Sequence, residues 1–247
     1  EKGLEFNPLL LLPGLLSVYE SLLQQLKGLG ARWVQFDEPV LASDLPEETL
    51  AFFWPSYTRL RRAASSTQLM LATYFGDLGA NLATALRLPV DGLHIDAIRA
   101  PGEIEAVLQA LPPGVRLSLG VVDGRNIWRN DFAESLKLLS RAQQVLGPDR
   151  LMVSPSCSLL HVPVSLKSET RLDDELKGWL AFAEQKLEEV VSLAHLLESK
   201  ADAAKLAENH ALIQSRRLSR RLHASKVEAR CEAVRDVVML ELDACIR

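Results

Sequence analysis

The segment Leu117–Pro163 constrains this chain more than any other, because its polarity changes in the order of a strand, a turn, a helix, a strand and a turn. Leu117 to Val122 is a short apolar run with β-branched residues at its end, and Asp123, Gly124, Arg125 and Asn126 stop it with turn chemistry. Asp131 is placed to cap a helix, with Glu134 three residues on. Leu136, Leu139, Val145 and Leu146 give that helix an apolar face before Gly147-Pro148 ends it. Leu151 to Val153 opens a second buried strand, stopped by Ser154, Pro155, Ser156 and Cys157. Two apolar strands joined through a helix are parallel, so each delivers polar residues at its C-terminal end.

The same unit recurs along the chain. Apolar strands begin near Trp33, Leu69, Leu93, Leu117 and Leu151, at the spacing of roughly 30 residues that βα units take. A closed (β/α)8 barrel needs about eight strands in about 250 residues. The reading is therefore an α/β fold, a partial TIM-like barrel of five consecutive βα units whose open edges would ordinarily pair with strands the chain does not supply. It divides as a lead-in segment and helix over 1–30, the partial barrel over 31–197, and a helical, basic tail over 198–247.

Within that frame, Leu9 to Leu12 reads as a short strand or buried lead-in, followed by a helix carrying Leu15, Leu16, Tyr19, Leu22, Leu23 and Leu26. A helix over Glu47 to Ala64 should break or kink at Pro55. Asp173 to Leu197 reads as one long amphipathic helix, the longest of the chain, with Leu176, Trp179, Leu180, Leu187, Val190, Val191 and Leu197 toward the core. Ala201 to Ile213 reads as helical.

The net charge of −4 sets up no field that would select nucleic acid or a membrane surface. No unbroken apolar stretch approaches the roughly 18 residues of a spanning helix, and Glu1-Lys2-Gly3 opens no signal-peptide pattern. Cys157, Cys231 and Cys245 are odd in number and lack metal-type spacing, which favours a reduced, cytoplasmic setting. A chain that starts with Glu rather than Met is expected to be a piece of a longer one. Arg216, Arg217, Arg220, Arg221, Lys226 and Arg230 form a basic cluster without interleaved aromatics, read as a solvated helix face.

Barrel enzymes place their sites where strands end. Here those positions hold Asp37, Glu38, Tyr74, Asp77, Asp96, Arg99, Asp123, Arg125, Asn126 and Cys157. Asp37, Asp96, Asp123 and Arg125 are the substrate-binding candidates. The competing role for them is to cap helices and to pair across the barrel mouth. His94 inside its strand and His161 before Pro163 read as core or loop histidines, and GVVDGRN lacks the glycine spacing and lysine of a phosphate loop.

The blocks WVQFDEPVL, LATYFGDL, VVDGRNIWRNDF, RLMVSPSCSLLHVP and LDDELKGWLAFAEQKLEEV resemble the N-terminal domain of cobalamin-independent methionine synthase, in constant order from about Pro8 to about Arg230. The tail from Val234 no longer resembles it. The resemblance implies two face-to-face barrels and a zinc-dependent methyl transfer from methyltetrahydrofolate polyglutamate to homocysteine. It places the zinc, held by a His-x-Cys pair, a glutamate and a later cysteine, in a C-terminal catalytic barrel that this chain does not include. If the two barrels arose by duplication, the equivalent positions here are Ala72, Tyr74, Asp96 and Cys157, of which Cys157 is a weak remnant candidate at most. No bound metal and no catalytic residue are therefore expected in this chain. The resemblance assigns it to the non-catalytic barrel that supports the catalytic barrel and borders the folate site. The alternative is a stand-alone barrel remnant kept as a binding or scaffold module.

Overall fold

The computed structural model describes residues 7–199, 203–223 and 225–245. Five strands, β1 (Trp33–Asp37), β2 (Gln68–Ala72), β3 (Gly92–Asp96), β4 (Arg116–Val122) and β5 (Leu151–Pro155), form one sheet in sequence order, every neighbouring pair parallel. This is the partial barrel read from the sequence, with β1 and β5 at its edges. Helix α1 (Leu12–Gly28) precedes β1; α2 (Glu47–Leu50), α3 (Phe53–Ala64), α4 (Leu82–Arg87), α5 (Ile104–Ala110) and α6 (Phe132–Leu146) fill the connections; α7 (Asp174–Trp179), α8 (Ala183–Ser199), α9 (Ala203–Leu218) and α10 (Ser225–Cys245) follow β5.

Alternation along the strands gives the sheet two chemically different faces. Leu71, Leu93, Ile95, Leu117 and Leu119 are buried in the core shared with Val107, Leu139 and Leu193 of the helices, and Leu69 packs with Leu16, Leu23 and Leu60 in a second cluster. The intervening positions include a polar cluster: His94 of β3 meets Ser118 of β4 at 3.0 Å and Ser154 of β5 at 3.1 Å through Nδ1. Its Nε2 lies 3.1 Å from the Ser156 carbonyl, an acceptor only, so Nε2 carries the proton and Nδ1 accepts from one of the two hydroxyls, which are themselves hydrogen-bonded at 3.0 Å. Burial pushes the His94 imidazole below its ordinary pKa. His94 is thus the core histidine the sequence suggested. Gly120 beside it leaves no space for a side chain, because a Cβ there would stand 2.7 Å from Ser156 Cα and 2.9 Å from His94 Cε1.

Asp131 caps α6 by accepting from the Glu134 N–H, as read. Elsewhere the structure departs from the sequence pattern. Pro8–Leu11 is a 3-10 turn leading into α1, with Leu10 and Leu11 exposed rather than a strand or buried lead-in, because Asn7 accepts from the Leu9 N–H and Pro8 fits a first helical position. The helical stretch before Ala64 divides at Ala51-Phe52, ahead of Pro55, which then occupies the third position of α3, where its missing N–H needs no intrahelical acceptor.

Asp173 to Leu197 is two helices, not the longest one; α10, of 21 residues, is longer than either. The chain between them is extended because Leu180 forms an antiparallel bridge to Trp128, and the Ala181 N–H donates to the Ile127 carbonyl at 2.8 Å. α8 restarts in a different rotational register. Lys186, Glu189, Leu193 and Leu196 face inward, whereas Leu187 and Val191 are 53% and 54% exposed. Counted with its polar residues, an 18-residue stretch within the 21-residue span Pro8–Gly28 reaches a mean hydropathy of 1.3, enough to span a bilayer by length and composition, against the expectation that no segment is. Leu16 and Leu23 are buried with Leu60 of α3, and Arg59 of α3 pairs with Glu20 at 2.7 Å, the packing of an amphipathic helix.

The basic cluster is not simply solvated. Arg217 pairs with Asp131 at 3.1 Å, Arg221 with Asp173 and Glu175 at 2.9 and 2.8 Å, and Arg216 stacks over the Trp128 ring. Ala201 and Asp202, read as the start of a helix, and Glu1 to Gly3 lie outside the described residues.

Candidate functional site at the sheet mouth

The C-terminal ends of the five strands carry a hydrogen-bonded layer of charged groups. Asp96, almost wholly buried, accepts from the Ile98 and Arg99 N–H groups at 3.0 Å each through Oδ1 and from the Phe75 N–H at 3.2 Å through Oδ2. Arg99 then spans to β4, donating to Asp123 Oδ1 at 2.7 Å and to Ser156 Oγ at 3.4 Å. Asp123 also accepts from the Arg125 N–H at 2.8 Å and from Asn126 Nδ2 at 2.7 Å. On the β1 side, Asp37 takes the Tyr74 hydroxyl at 3.1 Å and Gln35 Nε2 at 2.7 Å. Burial, with the Asp37 charge beside it, pushes the Tyr74 phenol up to about 12.

The carboxylates therefore converge on one end of the sheet, and each already has protein partners there. Asp96 and Asp123 take the capping and ion-pairing roles. Arg125 is different: its guanidinium lies 4.9 Å from the Phe75 ring centroid, and His161 meets the same ring edge-on at 5.6 Å. Asp77 is exposed on the loop after β2. Glu38 turns away from the mouth, accepting from Tyr57 at 2.9 Å beside an apolar cavity of about 660 Å3 between α1, α3 and β1; burial raises its pKa.

Three residues that sequence reasoning passed over shape this end of the molecule. Phe75 has φ +79°, a backbone state that a bulky residue rarely adopts, and Asp96 holds it there. Lys186 of α8 is 0% exposed and donates to the Trp128 carbonyl at 3.1 Å; burial lowers its pKa. Glu189, one turn on and 3% exposed, accepts from the Asn130 N–H at 3.0 Å, and burial raises its pKa. Together they fix the loop between β4 and α6 that carries Arg125. A left-handed aromatic leaves no sequence signal, and charged residues within an amphipathic helix ordinarily mark its solvent side.

The positions equivalent to a zinc set do not fit one. Ala72 offers no donor atom, the Tyr74 hydroxyl is bound to Asp37, and both Asp96 oxygens are occupied by backbone N–H groups. The Cys157 thiol is buried, which raises its pKa and disfavours the thiolate that binds zinc. Among the described residues no group of three His, Cys, Asp or Glu side chains is arranged to hold a metal ion.

Residues 1–147 match the family model for the cobalamin-independent synthase N-terminal domain. The chain belongs to that family. Among its relatives, a 5-methyltetrahydropteroyltriglutamate--homocysteine methyltransferase of Coxiella burnetii is 48% identical over 240 residues, covering 96% of this chain and 31% of that protein. The protein of the same description from Parvibaculum lavamentivorans is 51% identical over 235 residues, covering 94% of this chain and 30% of that protein. The chain thus spans less than a third of the length of these cobalamin-independent synthase relatives. A solved B12-independent methionine synthase from Shewanella, in complex with selenomethionine, shares the fold at a TM-score of 0.52 and 14% identity, over 75% of this chain and 54% of that one.

Proposed function

We propose that this chain is a segment of the N-terminal barrel of a methyltransferase that makes methionine by moving a methyl group from 5-methyltetrahydrofolate polyglutamate to homocysteine. The observation that carries the reading is the match of nearly the whole chain, at 48% and 51% identity, to relatives described by that activity. In this reading zinc and the catalytic residues belong to the C-terminal barrel, and the segment works by holding that barrel and by bordering the folate site with the mouth that carries Asp37, Asp96, Asp123 and Arg125. Homocysteine, the folate and the catalytic barrel are its partners, in the cytoplasm, where the free thiols Cys157 and Cys231 stay reduced.

Grafting tests this directly. Residues 8–199 of this chain replace the matching segment of the full-length Parvibaculum protein, and methionine formation from homocysteine and the triglutamate folate is measured. The expected rate lies within about tenfold of the parent, the range of a supporting rather than a reacting element. A folded chimera of the correct mass that makes no methionine would overturn the assignment.

A further inference from the structure

The charged groups at the mouth differ in what they still have to offer. Asp37, Asp96, Arg99 and Asp123 each hydrogen-bond within the protein through their side chains. Arg125 does not. It is exposed, and among the described residues its guanidinium has no hydrogen bond and no carboxylate partner. Its position is nevertheless fixed twice: the backbone N–H donates to Asp123 at 2.8 Å, and the guanidinium carbon Cζ stands 4.9 Å from the centroid of the Phe75 ring.

Phe75 reaches that place only at φ +79°, with its N–H held on Asp96 at 3.2 Å. Backbone strain of this kind persists where the surroundings enforce it, and it gathers at ligand sites. The exposed His161 borders the same ring at 5.6 Å, and its imidazole has no hydrogen-bond partner among the described residues. The acids that build these loops do not cancel the Arg125 charge: Asp96 is almost wholly buried, and Asp123 is paired with Arg99. A guanidinium backed by a ring keeps its N–H edge for a planar oxyanion, and two parallel donors match a carboxylate. Because the ring restrains the side chain beforehand, less freedom is lost on binding.

We propose that Arg125, seated on Phe75 and bordered by His161, is a carboxylate-binding site, and that its ligand is a glutamyl carboxylate of the folate tail. The choice of ligand rests on the proposed function, in which the methyl donor is a folate polyglutamate; the carboxylate chemistry rests on the geometry of Arg125 and Phe75. The aspartates of the mouth then act on the ligand indirectly. Asp96 sets the Phe75 backbone and Asp123 sets the Arg125 backbone, so that ring and cation meet.

The test reads the arginine itself. In the full 247-residue chain carrying isotope-labelled arginine, the Arg125 Nε–H resonance is identified by its loss in Arg125→Lys. It is then followed as γ-linked triglutamate or inorganic phosphate is added at constant ionic strength. Triglutamate should shift it saturably with a Kd on the order of 1 mM, phosphate should bind more weakly, and the exposed Arg62 of α3 should not respond. In Arg125→Lys, triglutamate binding followed at the His161 ring should weaken at least about tenfold, since lysine lacks the fork. An unmoved Arg125 resonance, an equal shift at Arg62, or phosphate binding as tight as triglutamate would each overturn the carboxylate site. The ligand is tested separately in the Parvibaculum chimera, where Arg125→Ala should raise the KM for the triglutamate folate at least about threefold and lower kcat less. An unchanged KM would remove the folate tail as the ligand. A chimera that makes no methionine would refute the methyltransferase reading, while the resonance titration still decides the carboxylate site.

Discussion

Arg99 and Asp123 join the ends of two adjacent parallel strands through a 2.7 Å ion pair, with only 27% and 16% of their side chains exposed. Asp123 simultaneously takes the Arg125 N–H and Asn126 Nδ2, so a single carboxylate organises both the pair and the turn after β4. Asp123→Ala should destabilise the chain by about 2 kcal/mol, since it strands a half-buried guanidinium and uncaps the turn. Arg125→Ala, which removes an exposed cation from a ring, should cost no more than about 0.5 kcal/mol. Urea midpoints at constant slope separate the two, and equal losses would dismiss Asp123 as the organiser.

His94 supplies a pH dependence whose sign follows from its geometry. The folded state holds the imidazole neutral and below its ordinary pKa of 6.5, so the unfolded chain binds the extra proton first. The His94 contribution is therefore fully present above that value and is lost as pH falls through and below it, by up to about 1.4 kcal/mol per pH unit. Glu38 and Glu189, both raised, act with the opposite sign. Comparison of the parent with His94→Gln isolates the histidine: the stability difference between them should shrink from pH 7.5 to pH 5, and a pH-independent difference would refute a buried neutral imidazole.

Phe75 is held at positive φ, a strain of about 1 to 3 kcal/mol for a residue of this kind. Glycine removes the strain but also the contacts with Tyr74, His161 and Arg125, so Phe75→Gly should leave stability within about 1 kcal/mol of the parent. Phe75→Val loses the same ring and adds a β-branched clash, and should be about 2 kcal/mol worse than glycine. Were valine as well tolerated as glycine, the left-handed geometry would be wrong.

Methyl transfer to a thiol at neutral pH requires a thiolate, which zinc generates by lowering the pKa of a bound sulfur. Ala72, Tyr74, Asp96 and Cys157 do not form such a site. The isolated chain should carry no stoichiometric zinc by metal analysis and form no methionine from homocysteine and the triglutamate folate. One zinc per chain that disappears in Cys157→Ala, together with turnover, would return the chemistry to this barrel.

The parallel sheet was legible because each strand is a short apolar run closed by local turn chemistry, and α6 because Asp131 marks its start. The division between α7 and α8 was hidden: Leu180-Ala181-Phe182 continues an apolar helical pattern, and only the bridge to distant Trp128 pulls it straight. At the mouth, Asp96 and Asp123 could be placed from strand ends alone. Their partners could not, since Arg99 reaches sideways between units and Phe75 adopts a backbone state for which its neighbour Gly76 would have been the ordinary choice. Lys186 and Glu189 stayed invisible because charge in a helix usually marks the solvent side.

Strand order in this sheet equals sequence order, so each strand after β1 finds a pairing partner already made as it leaves the ribosome, a βα unit earlier. The sheet can grow by addition, with short loop closures at every step. The loop after β4 is the exception. Its backbone is bonded by Lys186, Glu189 and Asn209, all synthesised well after β5. A nascent chain halted just past β5 would own all five strands and lack the three side chains that hold Trp128 and Asn130, so its mouth would be finished only when α9 has emerged.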